Sequence, residues 1–316
     1  MAGPDALSAP RAIFQETWWL DAACPRGWEA VTETRDSRVV GWLAFERYRR
    51  DGVTWCGAPR FTRLAFPLVE VDEGKYETVA RARAAVESEL IRRLPRASVH
   101  EFILPPDHAN ALPWQTLGFE ARVQHTFRID AGGDEAGRWA ELNSKTRNLV
   151  RRAQEALQPR EIDADAFAAV YRTTLGNVVP PDDLERVTRI AAASIAHGRG
   201  RAVAVVDSEG RPHGAALFVW DATDYYYLLS TRDPARAVLG AVDYLVWLGI
   251  VDAMQRGLRF DFDGVSSTSR LHFLQAFGGR LGARFVVTRR SGLYDLRVLL
   301  RRLRHRARHG ELPEFP

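Results

Sequence analysis

Cysteine is nearly absent: Cys24 and Cys56 are the only two in 316 residues. Neither shows a metal or redox spacing, which excludes a disulfide framework or a thiolate metal site and fits two small core residues in a reducing compartment. Lysine is as scarce, Lys75 and Lys145 being the only ones among 44 basic residues, so 42 are arginine. Such a bias follows base composition, and only the clustering of arginine carries information. Apolar runs long enough for a membrane helix, roughly 18 residues, are missing. The start "MAGPDALSAPRAIFQETWWLDAACP" also lacks a basic region followed by an apolar one, so a cytoplasmic protein with no transmembrane segment is expected. His213 and His272 are lone histidines without a ligand partner at helical spacing, and no metal is expected.

What is present is an ordinary globular composition, 46% apolar and 27% charged, with a net charge of +4 and a pI near 9.3. A chain of this length is long for one core and comfortable for two. "FQETWWLDAA" reads as an aromatic helix stopped near Pro25. "SRVVGWLAFERYRR" and "GVTWCGAPRFTRLAF" read as strands joined at Asp51-Gly52. In "KYETVARARAAVESELIRRL" Val79, Val86, Leu90 and Leu94 form one helical stripe ended by Pro95. "SVHEFILP" and "WQTLGFEARVQHTFRID" read as further strands. The glycine- and acid-rich "DAGGDEAG" marks a boundary, giving units of 1–131 and 137–292 and a basic C-terminal helix and tail, 293–316.

In the second unit "GRWAELNSKTRNLVRRAQEAL", "DADAFAAVYRTTL" and "DDLERVTRIAAASIAHG" read as three helices. The strands "RAVAVVD", "GAALFVW" and "DYYYLLST" follow. A helix with Tyr244, Trp247, Leu248 and Val251 on one face comes next, then the strand "RFDFDG", an aromatic helix, the strand "ARFVVTRR" and a terminal helix. The order predicts an α+β fold, helices packed on a mixed sheet.

"RWAELNSKTRNLVRRAQEAL", "YYLLSTRDPARAVLGAVDYLVW" and "GLRFDFDGVSSTSRLHFLQAFGG" resemble, in that order, three segments of the FemAB-like branch of the GNAT acyltransferases. "IFQETWWLDAACPRGW" and "LPWQTLGFEARVQHTFRID" are similar to the N-terminal half of that group. The resemblance runs from about Phe14 to Val287. It implies two GNAT-like domains, each a mixed, mostly antiparallel sheet with helices on its faces, and transfer of an acyl or aminoacyl group to an amine in a cleft between them. The donor it implies is aminoacyl-tRNA, as in peptidoglycan cross-bridge synthesis, or acyl-CoA as co-substrate, with a small amine or amino-sugar as acceptor. The sequence departs from the pattern twice. Phe273 is followed by Leu274 where the cross-bridge enzymes carry lysine, and "RAVLGA" holds one glycine where acetyl-CoA enzymes have a glycine-richer phosphate loop.

Acyl transfer to an amine needs a base, donors for the carbonyl oxygen and alignment of the reactants. In "RFDFDG" the strand period puts Phe260 and Phe262 on one face and aims Asp261 and Asp263 at the other. Two such acids raise one pKa and make a candidate base. Equally, Asp263 caps the turn at Gly264 and Asp261 pairs with Arg259 or Arg270. "RDPARAVLGA" precedes a helix whose N-terminus, with Arg232, Arg236 and Gly240, could seat phosphates; Gly240 is as readily explained by close packing. Tyr225, Tyr226 and Tyr227 alternate faces, and Tyr227 is the candidate proton donor to a leaving thiolate, against core packing as the commoner fate. Arg147, Arg151 and Arg270 are candidate anion contacts and His272 a second-rank base. "RVLLRRLRHRARH" at the end could steer tRNA electrostatically. The expectation is therefore an N-acyltransferase, acyl-CoA favoured over aminoacyl-tRNA. A catalytically silent tandem that binds a glycan precursor or a protein partner is the rival.

Overall fold

The computed structural model describes residues 7–8, 11–108, 110–175, 179–233, 238–265, 268–292 and 294–295. Arg236, the Ser266-Ser267 pair and all but Tyr294 and Asp295 of the terminal basic segment lie outside them.

Twelve strands form one sheet in the order β1-β2-β3-β5-β12-β6-β11-β10-β9-β8-β7, with β4 on β2. In the first half β1 (Glu29–Arg35), β2 (Arg38–Arg50), β3 (Val53–Gly57), β4 (Leu68–Val69), β5 (Val99–Ile103) and β6 (Glu120–Ile129) alternate with helices α1 (Thr17–Ala23), α2 (Tyr76–Arg92) and α3 (Leu112–Thr116). In the second come α4 (Glu135–Glu141), α5 (Ser144–Ala156), β7 (Gln158–Ile162), α6 (Ala164–Leu175), α7 (Pro181–Ala196), β8 (Gly200–Val206), β9 (Pro212–Trp220) and β10 (Asp224–Arg232). They are followed by α8 (Ala241–Gln255), β11 (Arg259–Gly264), α9 (Thr268–Gln275) and β12 (Arg280–Arg290). The β3–β5 and β10–β11 pairs are parallel and the other pairings antiparallel. This is the α+β architecture the sequence predicts.

The halves are stitched together by exchange. β6, from the first half, lies between β11 and β12 of the second, and β12 returns to pair β5. Backbone hydrogen bonding therefore runs unbroken past "DAGGDEAG". On one face of the second-half sheet, α5 and α8 pack Val150, Ala153, Leu245 and Val246 against Phe218, Tyr225, Tyr227, Phe260 and Phe262. On the other, α1, α6 and α7 pack Trp19, Phe167, Val187 and Ile190 against Leu217, Tyr226 and Leu228. Both cysteines are buried, and burial pushes the Cys56 thiol up to about 12 and the Cys24 thiol higher still, so both stay thiols.

Four local readings are corrected. "GRWAELNSKTRNLVRRAQEAL" is two helices, because Asn143 takes extended backbone and its side chain accepts from the Thr146 amide at 2.7 Å, starting α5 afresh. "WQT" closes the short helix α3, with Pro113 in its first turn, before β6 begins. Residues 58–66 leave β3 as a loop in which Phe61 sits at φ 64. β1 and β7, edge strands with largely exposed or half-buried residues, carry too little hydrophobic alternation to read as strands. The Asp51-Gly52 turn is as expected, both residues having positive φ between β2 and β3.

Candidate active site

β10 and β11 pair in parallel through Asp224↔Arg259, Tyr225↔Phe260 and Tyr226↔Asp261, and then part, although β10 continues to Arg232 and β11 to Gly264. Just past the parting, β10 bulges: Tyr227 pairs Phe218 and Leu229 pairs Leu217, so Leu228 is left over. A bulge at a point of divergence re-aims backbone groups that a regular ladder would consume. β11 is irregular at the same level, between Asp261 and Gly264. The outcome is a fork between two strands in the middle of the sheet.

Asp261 and Asp263 lie on the same face of β11, toward the first half, as the strand period predicts, while Phe260 and Phe262 lie in the opposite core. Their environments differ sharply. Asp263, at φ 69, is locked between two arginines: Arg63 Nη1 at 2.8 Å and Arg284 Nη2 at 2.9 Å. Burial alone would raise its pKa, but Arg63 and then Arg284 outweigh that and hold the carboxyl below its ordinary value. Asp261 Oδ1 accepts from Thr126 Oγ1 and from the Asp263 amide, both at 2.7 Å. Burial pushes this carboxyl up, Asp263 adds a smaller push, and the two hydrogen bonds and Arg284 only partly oppose it. Asp261 also lines a cavity of about 790 Å³ between β6, the 105–107 loop and the 221–224 turn. Arg259 is not its partner, being held by Asp224 at 2.6 Å and Asp107 at 3.0 Å.

Arg63 crosses the fork. One guanidinium nitrogen binds Asp263 on β11 and another donates to the Leu228 carbonyl on the β10 bulge. Arg63, Arg284 and Thr126 are absent from the reading of the sequence. Their sites are separated from "RFDFDG" by tens to hundreds of residues, and no local motif marks them.

The other face of the fork carries Tyr227. Tyr225 donates to Asp252 at 2.6 Å and Tyr226 to Asp221 at 3.2 Å, both on the ordinary core pattern. The Tyr227 hydroxyl is buried and makes no hydrogen bond of good geometry among the described residues. Burial pushes it up to about 12, with the Ser230 hydroxyl and Arg270 guanidinium pulling the other way. A buried hydroxyl left without a partner costs about 1–3 kcal/mol, so one side of the fork holds a donor in reserve. Asp243, in the first turn of α8, is raised by burial and opposed by Lys145.

At the end of β10 a cavity of about 280 Å³ is lined by Arg232, His213, Leu149 and the first turn of α8, Gly240 to Asp243. Gly240 has φ 91, and a Cβ there would stand 2.2 Å from the Leu149 carbonyl oxygen, so both the turn and the close packing of α5 on α8 require glycine. The α8 N-terminus and Arg232 suit an anion there; the carboxylates of Asp233 and Asp243 in the same lining oppose one.

Three candidate residues stand elsewhere. Arg147 is not an open anion contact: its guanidinium donates to the carbonyls of Ala140 and Leu142, closing the end of α4. Arg151 lies over the Trp139 ring at 5.4 Å, exposed on α5. His272 is exposed on α9, whose following residues Leu274 and Phe277 are the buried ones, and so faces away from the acid pair's core.

Residues 119–268 match the model of the acetyltransferase (GNAT) domain family. Those residues carry a GNAT acyltransferase domain. Its fold is that of the FemAB-like branch: FemX, at 15% identity, superposes with a TM-score of 0.65 over 92% of this chain and 95% of that one. A tandem GNAT protein from the clavulanic acid biosynthesis pathway, at 12% identity, gives 0.55 over 89% of this chain and 90% of that one. The C-terminal domain of a putative lysylphosphatidylglycerol synthetase from Agrobacterium fabrum, at 10% identity, gives 0.52 over 89% and 94%. At these identities the likeness is one of fold. No curated protein matches the sequence. Among the described residues no helix of this acyltransferase is long and apolar enough to cross a membrane.

Proposed function

We propose that the protein joins an activated acyl group to a primary amine by direct attack at the β10–β11 fork, with acyl-CoA as the donor. The observation that carries this reading is the parting of the two parallel strands after Tyr226 and Asp261, with a bulge on β10, a helix N-terminus at its end and a buried acid of raised pKa on β11. The donor's phosphates sit at the α8 N-terminus beside Arg232, with Gly240 permitting the turn, and its carbonyl reaches the bulge. The amine arrives from the face of Asp261. Its nitrogen attacks the thioester carbon, Asp261 removes the proton, the tetrahedral intermediate collapses with cleavage of the C–S bond, and the thiolate leaves, hydrogen-bonded by Tyr227. Asp263 is no base here, since two arginines stabilise its charge; it orients Asp261 through its own amide. Arg63 is a positioning residue that fixes the spacing of the fork.

The test uses the full chain. A thermal-shift scan with CoA, acetyl-CoA and longer acyl-CoAs should show stabilisation that grows with concentration, about 2.7 kcal/mol at a hundredfold excess over Kd. Thiol release should then follow addition of an amine. Stabilisation by none of the CoA species, together with copurifying RNA that is lost at raised salt, would transfer the assignment to aminoacyl-tRNA. The FemX-like fold and the basic terminal segment speak for that second donor.

A further inference from the structure

A third cavity lies where β2 and the 58–66 loop meet the start of α7, and arginine dominates its lining. It measures about 310 Å³ and is lined by Arg26, Tyr48, Arg49, Arg50, Arg60 and Arg186, with Pro180, Asp182 and Asp183 from the start of α7. Some of this charge is already matched. Arg186 makes a buried two-pronged pair with Glu46 at 2.7 and 3.0 Å, and Arg60 binds Asp183 at 2.6 Å. Arg26 and Asp182 pair at 2.8 Å in the open. Arg49, by contrast, is exposed with no ion pair among the described residues, and Arg50 has only Asp51, at 4.0 Å. The Arg186 Nε is buried with no hydrogen-bond partner among the described residues, in a guanidinium whose other nitrogens are held by Glu46 and the Ala23 carbonyl at the cavity wall. Unmatched arginines converging on a concave site, with an orphaned buried donor behind them, are what an anion requires.

The cavity is tied to the fork by one loop. Residues 58–66 put Arg60 on the cavity and, three residues later, Arg63 on Asp263 and the β10 bulge. Phe61, between them, holds φ 64, a strained conformation for a bulky residue that separates the directions of the two arginines. Burial raises the Tyr171 hydroxyl's pKa, and Arg63, Asp183 and Arg60 act on it in smaller measure, so this tyrosine lies near both the cavity and the Arg63 end of the loop.

We infer that this cavity binds an anionic group, a phosphate or a carboxylate, of the amine acceptor. The inference rests on the reading of the fork as the site of acyl transfer. Arg49 and Arg50 supply the free charge, Arg60 and Arg186 the fixed donors, and the 58–66 loop sets the distance from anion to Asp261. The acceptor class is then a small amine that also carries negative charge, in preference to a neutral or polycationic amine.

The test is binding without any donor, so that its result is independent of turnover. Titration calorimetry with inorganic phosphate, glucosamine 6-phosphate, glutamate and uncharged-tail glucosamine, at matched ionic strength, should show binding of the anionic probes and none of glucosamine; phosphate against glutamate separates the two anions. Arg49→Glu and Arg50→Glu, surface changes that leave the fold intact, should each weaken that binding roughly tenfold or more. Equal binding by wild type and both variants, or no binding of any anionic probe, overturns the proposal. Displacement of phosphate by a short RNA would also overturn it, by showing a nucleic-acid surface. Anion binding in a protein that transfers no acyl group would retain this site and sink the proposed function instead; acyl transfer without anion binding would do the reverse.

Discussion

The two faces of the β10–β11 fork carry different kinds of polar group. The face toward α8 centres on hydroxyls and a helix terminus, Tyr227, Ser230 and the first turn of α8, with Arg270, Arg232 and Asp243 around them. The face toward the first half holds charge: Asp261, Asp263, Arg63 and Arg284, nearly all of it buried. The difference teaches how one fold can divide labour. Hydroxyl donors and a helix dipole suit an uncharged thioester and its leaving group, whereas a carboxylate that takes a proton from an amine is charged and has to be held by fixed neighbours when it is buried. Within the charged face the same contrast recurs between two aspartates two residues apart. Two arginines fix Asp263 as an anion, while Asp261 keeps hydrogen bonds on one oxygen and a cavity beside it.

Removing the charged face should do most damage. Asp261→Asn, nearly isosteric, is expected to lower kcat by about 10²–10⁴ with little change in KM, the usual range for loss of a general base; steady-state kinetics check it, and retained turnover would reassign the base. Asp263→Asn leaves the buried Arg284 guanidinium without its counter-charge, and chemical denaturation should show a loss of about 3–5 kcal/mol, whereas Arg63→Ala, which leaves Arg284 on Asp263, should cost less. The pH dependence separates the two acids. The Asp263 pKa is lowered by folding, so its contribution to stability is complete above the unfolded value of ~3.9 and fades as pH falls through the folded value. The Asp261 pKa is raised by folding. Its contribution is therefore present below the unfolded value and lost as pH rises through the folded one, and the acid limb of kcat/KM should lie above the ordinary carboxylate range. Denaturation curves and pH–rate profiles of the wild type and the two Asn variants measure both.

Breaking the hydroxyl face should cost less. Gly240→Ala forces a side chain into the Leu149 carbonyl and a positive φ, and a destabilisation of about 1–3 kcal/mol is expected, visible as a lowered Tm and weaker CoA-dependent stabilisation. Tyr227→Phe removes a donor that makes no hydrogen bond of good geometry among the described residues. Stability should hold or rise slightly while kcat drops roughly tenfold, a tenfold effect being about 1.4 kcal/mol of transition-state stabilisation. A tenfold loss with unchanged stability would place Tyr227 at the reacting group; no loss would return it to the core.

Much of this was legible in the chain. The stripe of α2, the hairpin at Asp51-Gly52, the run of strands from β8 to β10 and the shared face of Asp261 and Asp263 follow from periods of 3.6 and 2.0 and from turn chemistry, which are local. Asn143 carried a helix-start signal that a long amphipathic pattern hid. The edge strands β1 and β7 gave no signal because strands with so little buried surface need no alternation.

By itself the sequence determined the α+β class, the placement of two acids on one strand face and the glycine turn into α8, since each depends on neighbours within a few residues. Only the tertiary structure decided which acid is neutralised by arginine, which tyrosine hydroxyl is left unpartnered, and where Arg60 and Arg63 point. Those outcomes depend on Coulomb interactions and burial between segments brought together by the exchange of β6 and β12, and fields in a dry interior are set by distance in space, not by distance along the chain.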